Sequence, residues 1–298
     1  MSTVQNLVEF LEKKNLPLEM NYLSRAQKFT LLIATYLNDD VKDFEIALKS
    51  IIYNTVVPDE ILIIVDGPIY DEMDRMLIRF VNKLPHVIRV IRQEKNKGRG
   101  LTAAYGVVNA KNDLIARMDA DDIAIPQRFE KQLPLFQKNS ELDVIGGQVS
   151  EFNDELELTT RRIVPTIYEE IIKFSKMRSP LNQPTVMFKK LSVLRVGNYS
   201  NLTVMEDYDL WMKMIDNKMI LQNIDEDLVY MRAPKDMYKR RGGLQYFKIY
   251  RQFRKALLTK KLISYKDYYH SIFGMSITSL IPTIFRKKIY SILLRKNN

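Results

Sequence analysis

Three carboxylates crowd into four positions of this chain. Asp119, Asp121 and Asp122 lie in the stretch Ile115-Ala-Arg-Met-Asp-Ala-Asp-Asp-Ile123, directly after the apolar run Leu114 to Ala116. Like charges this close raise one another's pKa unless a cation neutralises them. Oxygen-only ligands suit a hard divalent ion, Mg²⁺ or Mn²⁺. Mg²⁺ usually takes one or two carboxylates and completes its shell with substrate phosphates and water. The cluster therefore points to a metal-bound, phosphorylated substrate. The alternative is an acidic turn that caps the next helix.

Other segments could complete such a site, and the elements around them say where they lie. Phe29 to Thr35 is a continuous apolar run, the pattern of a parallel strand covered on both faces. Phe44, Ala47, Leu48, Ile51 and Ile52 then recur at helical spacing. Glu60 to Val65 reads as a second strand, stopped by Asp66-Gly67-Pro68, and Met73, Met76, Leu77 and Phe80 mark a second helix. Val87 to Ile91 reads as a third strand, followed by the loop Asn96-Lys-Gly-Arg-Gly100. Leu101 to Ala110 reads as a helix and Asp113 to Met118 as a fourth strand. Alternation of strand and helix predicts an open, mostly parallel α/β sheet, with ligands beyond the carboxyl ends of its strands. Thr35-Tyr36, Asp66-Gly67, Asn96 to Gly100 and Asp119 to Asp122 all follow strand ends and should line one edge.

After about Phe129 the pattern weakens. Leu142 to Val149 and Thr185 to Phe188 read as further strands, and Glu206 to Met214 as a helix with an acidic first turn. Tyr246, Tyr250, Phe253 and Leu257, with Lys248, Arg251 and Lys255 between them, form an amphipathic basic helix. Ser271 to Phe285 is uncharged but too short to span a bilayer; it suits an interfacial or core segment.

Composition bounds the rest. The 298 residues can bury one core, or one core with an appendage. Without cysteine there is neither a disulfide nor a thiolate metal site, which fits a reducing cytoplasm. Met1 to Asn15 does not read as a signal peptide. The net charge of +10 is uneven: residues 235–298 carry 16 Lys/Arg against 2 Asp/Glu, the rest 30 against 34. Such a tail predicts an anionic partner: a membrane surface, nucleic acid or a phosphorylated lipid.

Taken together, Asn96-Lys-Gly-Arg-Gly-Leu-Thr-Ala-Ala-Tyr-Gly-Val-Val-Asn109, Ile115 to Ile123 and Met205-Glu-Asp-Tyr-Asp-Leu-Trp211 resemble the family 2 glycosyltransferases of the GT-A fold. The pattern is similar to bacterial capsule, exopolysaccharide and O-antigen enzymes, including amylovoran-type transferases, and it runs from about Phe29 to Tyr230. The resemblance implies a Rossmann-like, mostly parallel central sheet flanked by helices, with a basic helical C-terminal extension. The expected division is a catalytic domain over 1–235, with a helical lead-in over 1–27, and the extension over 236–298.

It also implies roles. Thr35 and Tyr36 begin the nucleotide pocket, and Asp66 accepts a hydrogen bond from a uracil N–H. Lys97, Gly98 and Arg99 lie near the diphosphate. Asp119 and Asp121 form the metal pair, with Asp119 and Ala120 also at the nucleotide; Asp122 shares either task. The cofactor is Mn²⁺ or Mg²⁺. Asp207 is the general base of an inverting transfer, and Glu206 orients a sugar. Trp211 could stack on a sugar or pack in the core. Gln183 stands where related sequences often carry His, and Arg240 and Arg241 suit a diphosphate or an anionic lipid.

The expected partners are a UDP-sugar donor, a glycan or undecaprenyl-diphosphate-linked acceptor and an anionic membrane surface, but no nucleic acid. The expected place is cytoplasmic, peripheral at the inner face of the plasma membrane. Rival readings are a nucleotide-binding homologue without catalysis, and a nucleic-acid-binding protein using the basic tail. A dinucleotide oxidoreductase is disfavoured because Thr35-Tyr-Leu-Asn38 replaces the glycine-rich turn.

Overall fold

The computed structural model describes residues 2–17, 27–233, 243–280 and 296–297. After helix α1 (Thr3–Lys13), three strand–helix units follow: β1 (Phe29–Thr35), α2 (Val41–Ile52), β2 (Glu60–Asp66), α3 (Asp71–Lys83), β3 (Ile88–Gln93) and α4 (Arg99–Asn109). Next come β4 (Leu114–Arg117), β5 (Ile123–Ala124), α5 (Arg128–Lys138), β6 (Leu142–Phe152), β7 (Leu158–Arg162) and α6 (Tyr168–Ser175). The chain continues through β8 (Met187–Lys189), α7 (Lys190–Arg195), α8 (Glu206–Asp216), β9 (Ile220–Arg232), α9 (Gly243–Thr259), α10 (Tyr265–Leu280) and the short β10 (Lys296–Asn297).

The parallel half is as the apolar runs predict. β1 pairs with β2 and β4, and β2 with β3, all parallel, so Thr35, Asp66, Gln93 and Arg117 end on one edge. Alternate strand residues feed two cores. Leu31, Ile33, Ile61 and Ile63 meet Phe44, Leu48, Leu77 and Phe80 on one face, while Leu32, Leu62 and Ile64 meet Ala103, Val107, Leu210 and Trp211 on the other. Beyond β4 the sheet turns antiparallel through β8 and β6. The long β9 runs parallel to β6, and β5 pairs against its far end. The second half thus curls over the carboxyl edge of the first.

The basic helices α9 and α10 pack on the body. Tyr250, Phe253 and Leu257, the apolar stripe of α9, are buried, and Phe253 and Leu257 join Tyr208 and Met212 of α8. The buried Arg254 donates from Nη1 to the Tyr208 hydroxyl at 3.1 Å and from Nη2 to the Lys176 carbonyl at 2.5 Å. Of the uncharged stretch 271–285, the part to Leu280 is helical and the rest lies outside the described residues.

Candidate active site

The loop before α4 is clipped to the end of β2. Asp66 accepts the Lys97 N–H at 2.7 Å on Oδ1 and the Gly98 N–H at 3.0 Å on Oδ2. Asn96 donates to the Asp66 carbonyl at 3.2 Å. A Cβ on Gly67 would come within 2.7 Å of the Asn96 nitrogen, and its φ of +88° is left-handed, so glycine is required there. Asp66 is thus first a staple for the loop that carries Lys97 and Arg99, although each carboxylate oxygen keeps a further lone pair. A cleft of about 250 Å³ opens beside it, lined by residues that include Gly67, Pro68, Asp74, Gln93 and Glu94, but by none of the acids below.

At the end of β1, Thr35 is buried and Tyr36 partly exposed. Asp39, which sequence reasoning missed, turns back to accept the Tyr36 N–H at 3.1 Å. Burial pushes its carboxyl up to about 6, and the charges of Asp121 and Asp119 add to the rise. A carboxylate from outside the acidic loop therefore lies within reach of its charges.

That loop rests on two buried guanidinium groups. Arg117 donates to the Leu32 carbonyl at 3.2 Å, and its Nη2 lies 4.0 Å from Asp119. Arg128 donates to the Arg117 carbonyl at 2.7 Å and to Gln132 at 3.2 Å. Burial lowers it to about 9, against the charges of Asp122 and Asp119. Asp119 is half-exposed. Asp121 reaches the surface while protein crowds it from behind; this desolvation and the charge of Asp119 push it up to about 6. Ala120, between them, is buried. Asp122 departs from its expected share in binding. It is 1 % exposed and accepts the Arg232 N–H at 3.0 Å, tying the loop to the end of β9. Burial, then Asp121, hold its pKa well above the usual carboxylate range.

The donor set fits a divalent cation taken together with its substrate. Asp119 and Asp121 are two open, mutually repelling carboxylates. Among the described residues no three Asp, Glu or His side chains converge as a ligand set. Mg²⁺ and Mn²⁺ sites with one or two carboxylates leave the remaining positions to phosphates and water.

The second acidic group opens α8. Met205, the residue before the helix, has φ +68°, a left-handed conformation that costs a non-glycine residue energy and recurs at functional sites. Glu206 is 7 % exposed; its Oε1 lies 3.6 Å from Arg99 Nε, and its Oε2 is buried without a hydrogen-bond partner among the described residues. Burial, then the charge of Asp207, push it up to about 7. Asp207 is half-buried in the helix's first turn, where the dipole favours negative charge. Arg99, whose side chain is largely exposed, feels Glu206, Asp119 and Asp207 together, and their charges raise its pKa. Gly100 makes this approach possible, since a Cβ there would meet the Ser200 carbonyl oxygen at 2.1 Å.

Gln183 donates to the Tyr199 hydroxyl at 3.0 Å. Burial raises the Tyr199 phenol above its ordinary range, and Arg117, Asp207 and Glu206 all act on it. Gln183 and Tyr199 thus form polar floor between the two acidic groups. No pattern around Tyr199 marks it in the sequence. Trp211 corrects the reading of a sugar platform. Its ring is fully buried in the core with Leu32, Leu210 and Met214, so no face is open to a sugar. Arg240 and Arg241 lie outside the described residues.

A family model described as Glycosyl transferase family 2 matches residues 30–202. The chain is 37% identical over 278 residues to a UDP-Gal:alpha-D-GlcNAc-diphosphoundecaprenol beta-1,3-galactosyltransferase of Escherichia coli, covering 90% of this chain and 97% of that one. It is 33% identical over 220 residues to the amylovoran biosynthesis glycosyltransferase AmsE of Erwinia amylovora, covering 74% and 82%. Among solved structures, S. aureus TarS 1-349 in complex with UDP shares the fold at a TM-score of 0.53 and 15% identity, covering 90% of this chain and 71% of that one.

Proposed function

Because the chain belongs to glycosyl transferase family 2 and is a glycosyltransferase, we propose that it moves a sugar from a UDP donor to a lipid-linked glycan, with inversion and with Mn²⁺ or Mg²⁺. The observation that carries this reading is the position of Arg99. Its Nε lies 3.6 Å from Glu206 and it stands in the fields of Asp119 and Asp207 as well, which supports a metal pair and a candidate base acting on one substrate. The E. coli relative is named for a UDP-sugar donor and a diphosphoundecaprenol-linked acceptor, and the TarS structure contains UDP.

On this reading the chain's residues divide the work. Thr35, Tyr36 and the spare acceptor capacity of Asp66 receive the nucleotide. Asp119 and Asp121 would hold the cation, which, when bound, neutralises the diphosphate as it leaves. Lys97 and Arg99 add positive charge beside that diphosphate. Asp207 takes the proton from the acceptor hydroxyl, and the oxygen attacks the anomeric carbon opposite the departing diphosphate. Glu206 aligns the reacting sugar through its unpaired Oε2. Gln183 and Tyr199 support the floor beneath. Surface polysaccharide or O-antigen synthesis supplies acceptors of this kind. The basic extension holds the enzyme on the inner face of the plasma membrane, where such acceptors lie; among the described residues no helix is long and apolar enough to cross it.

The test is a screen of UDP-sugars with Mn²⁺, scoring UDP release with and without EDTA. Release from one or more donors that EDTA abolishes is the expected result. No metal-dependent release from any nucleotide sugar would overturn the reading.

A further inference from the structure

Helix α10 exposes an aromatic ridge, in which Tyr269 meets Tyr268 edge-on. Tyr265, Tyr269 and Phe273 recur every four residues, so they share one face, and they are 71%, 66% and 66% exposed. An adjoining side is used internally. Ser271 is buried, Tyr268 and Ile272 are half-buried, and Tyr268 packs against the cluster of Phe253, Leu257 and Ile263. Lone exposed apolar residues are ordinary, but three large aromatics in register are not.

The surroundings of the ridge indicate what covers it. Lys248, Arg251, Lys255, Lys260, Lys261 and Lys266 are all exposed on α9, α10 and the turn between them. Across α9 to α10 the one acid is Asp267, which is spent on capping: it accepts from the Ser264 N–H at 3.0 Å and the Ser264 hydroxyl at 2.7 Å. Tyr and Phe suit the boundary between headgroups and acyl chains. Lysines on the same helix pair are drawn to an anionic leaflet. Exposed aromatic side chains on a hairpin that also carries many cations suit the membrane interface.

We propose that α10 is the membrane-seating element of this enzyme, with Tyr265, Tyr269 and Phe273 entering the interface of an anionic bilayer and the lysines beside them resting on its headgroups. This deepens the membrane reading above and rests on it. It also moves the contact: the buried stripe of α9 packs on α8, so the lipid-facing apolar surface belongs to α10.

The test is co-sedimentation of the full chain with phosphatidylcholine vesicles, with and without phosphatidylglycerol. The wild type should sediment with the anionic vesicles and be released by salt. Tyr265→Ser, Tyr269→Ser and Phe273→Ser combined should weaken binding at least about tenfold, with unchanged thermal midpoint and UDP release. Tyr269→Trp should retain binding and show a blue-shifted emission on anionic vesicles, over the constant signal of buried Trp211. Wild-type sedimentation by the triple variant would overturn the ridge proposal and leave the membrane reading standing. A wild type that ignores anionic vesicles would overturn both. Two further outcomes would overturn the ridge proposal: a dimer that the triple variant dissociates without change in vesicle binding, or binding of single-stranded nucleic acid in place of vesicles.

Discussion

Glu206 and Asp207 are neighbours in sequence and opposites in setting. Glu206 is enclosed, within reach of Arg99 and pushed up to about 7, whereas Asp207 stands half-open in the helix's first turn. As pH falls through about 7, Glu206 takes up a proton and its charge beside Arg99 is lost, so kcat/KM should drop. Glu206→Gln cannot titrate and should move that limb to lower pH; a limb that stays near 7 in a transfer assay would show that another group sets it. At this scale, residue type marked Asp119, Asp121 and Asp207 as candidates, because carboxylates at strand ends and helix starts have few uses. What escaped were roles fixed by distant partners. Asp122 depends on the Arg232 N–H, Asp39 on a turn back to Tyr36, and Tyr199 on Gln183. Trp211 was open to two readings because helical spacing does not report which aromatic is enclosed.

At the scale of elements, the site is a matter of close approach between α4 and the chain before α8. Gly100→Ala would drive its Cβ into the Ser200 carbonyl at 2.1 Å, forcing one of them to move. Overpacking of this kind costs about 1–3 kcal/mol. Transfer should fall far more than that loss of stability, because Arg99 shifts away from Glu206. Denaturant unfolding alongside kcat measures both, and unchanged kcat would mean that the approach does not position the site. The parallel strands were legible because Leu31 to Ile33 and Ile61 to Val65 are buried on both faces and read as apolar runs. In the antiparallel half, Leu142 to Val149 and Thr185 to Phe188 read as strands, but β7 and β9 did not, and β6 runs on to Phe152 while burying Gln148, Ser150 and Glu151. Gln148 exchanges hydrogen bonds with Val164, and Ser150 donates to Asp227 at 2.7 Å, partners that no local pattern announces. The amphipathic stripe of α9 was visible, but not that α8 would cover it. Deleting residues 246–298 would therefore strip Phe253, Arg254 and Leu257 from the body, and surface substitutions on α10 are the cleaner probe.

For the whole molecule, a cluster of acids with raised pKa makes stability depend on pH in a definite direction. Asp39 and Asp121 rise from 3.8 to about 6, and Glu206 from 4.5 to about 7. Between the ordinary and the raised values the folded chain holds protons that the unfolded chain has released. Stability is therefore greater at the acid end of this window and is lost as pH rises through about 6 to 7. The thermal midpoint should fall from about pH 5.5 to 7.5, and Mn²⁺ at the upper end should restore part of it by neutralising Asp119 and Asp121. A flat midpoint would contradict this account of the acidic cluster. The central claim joins both acidic groups in one reaction, with donor binding at one and proton removal at the other. Asp207→Asn separates them. Titration calorimetry with UDP and Mn²⁺, beside a transfer assay on the same sample, should show unchanged nucleotide affinity and transfer reduced by about 10²-fold or more. Transfer at the wild-type rate by that variant would contradict the claim.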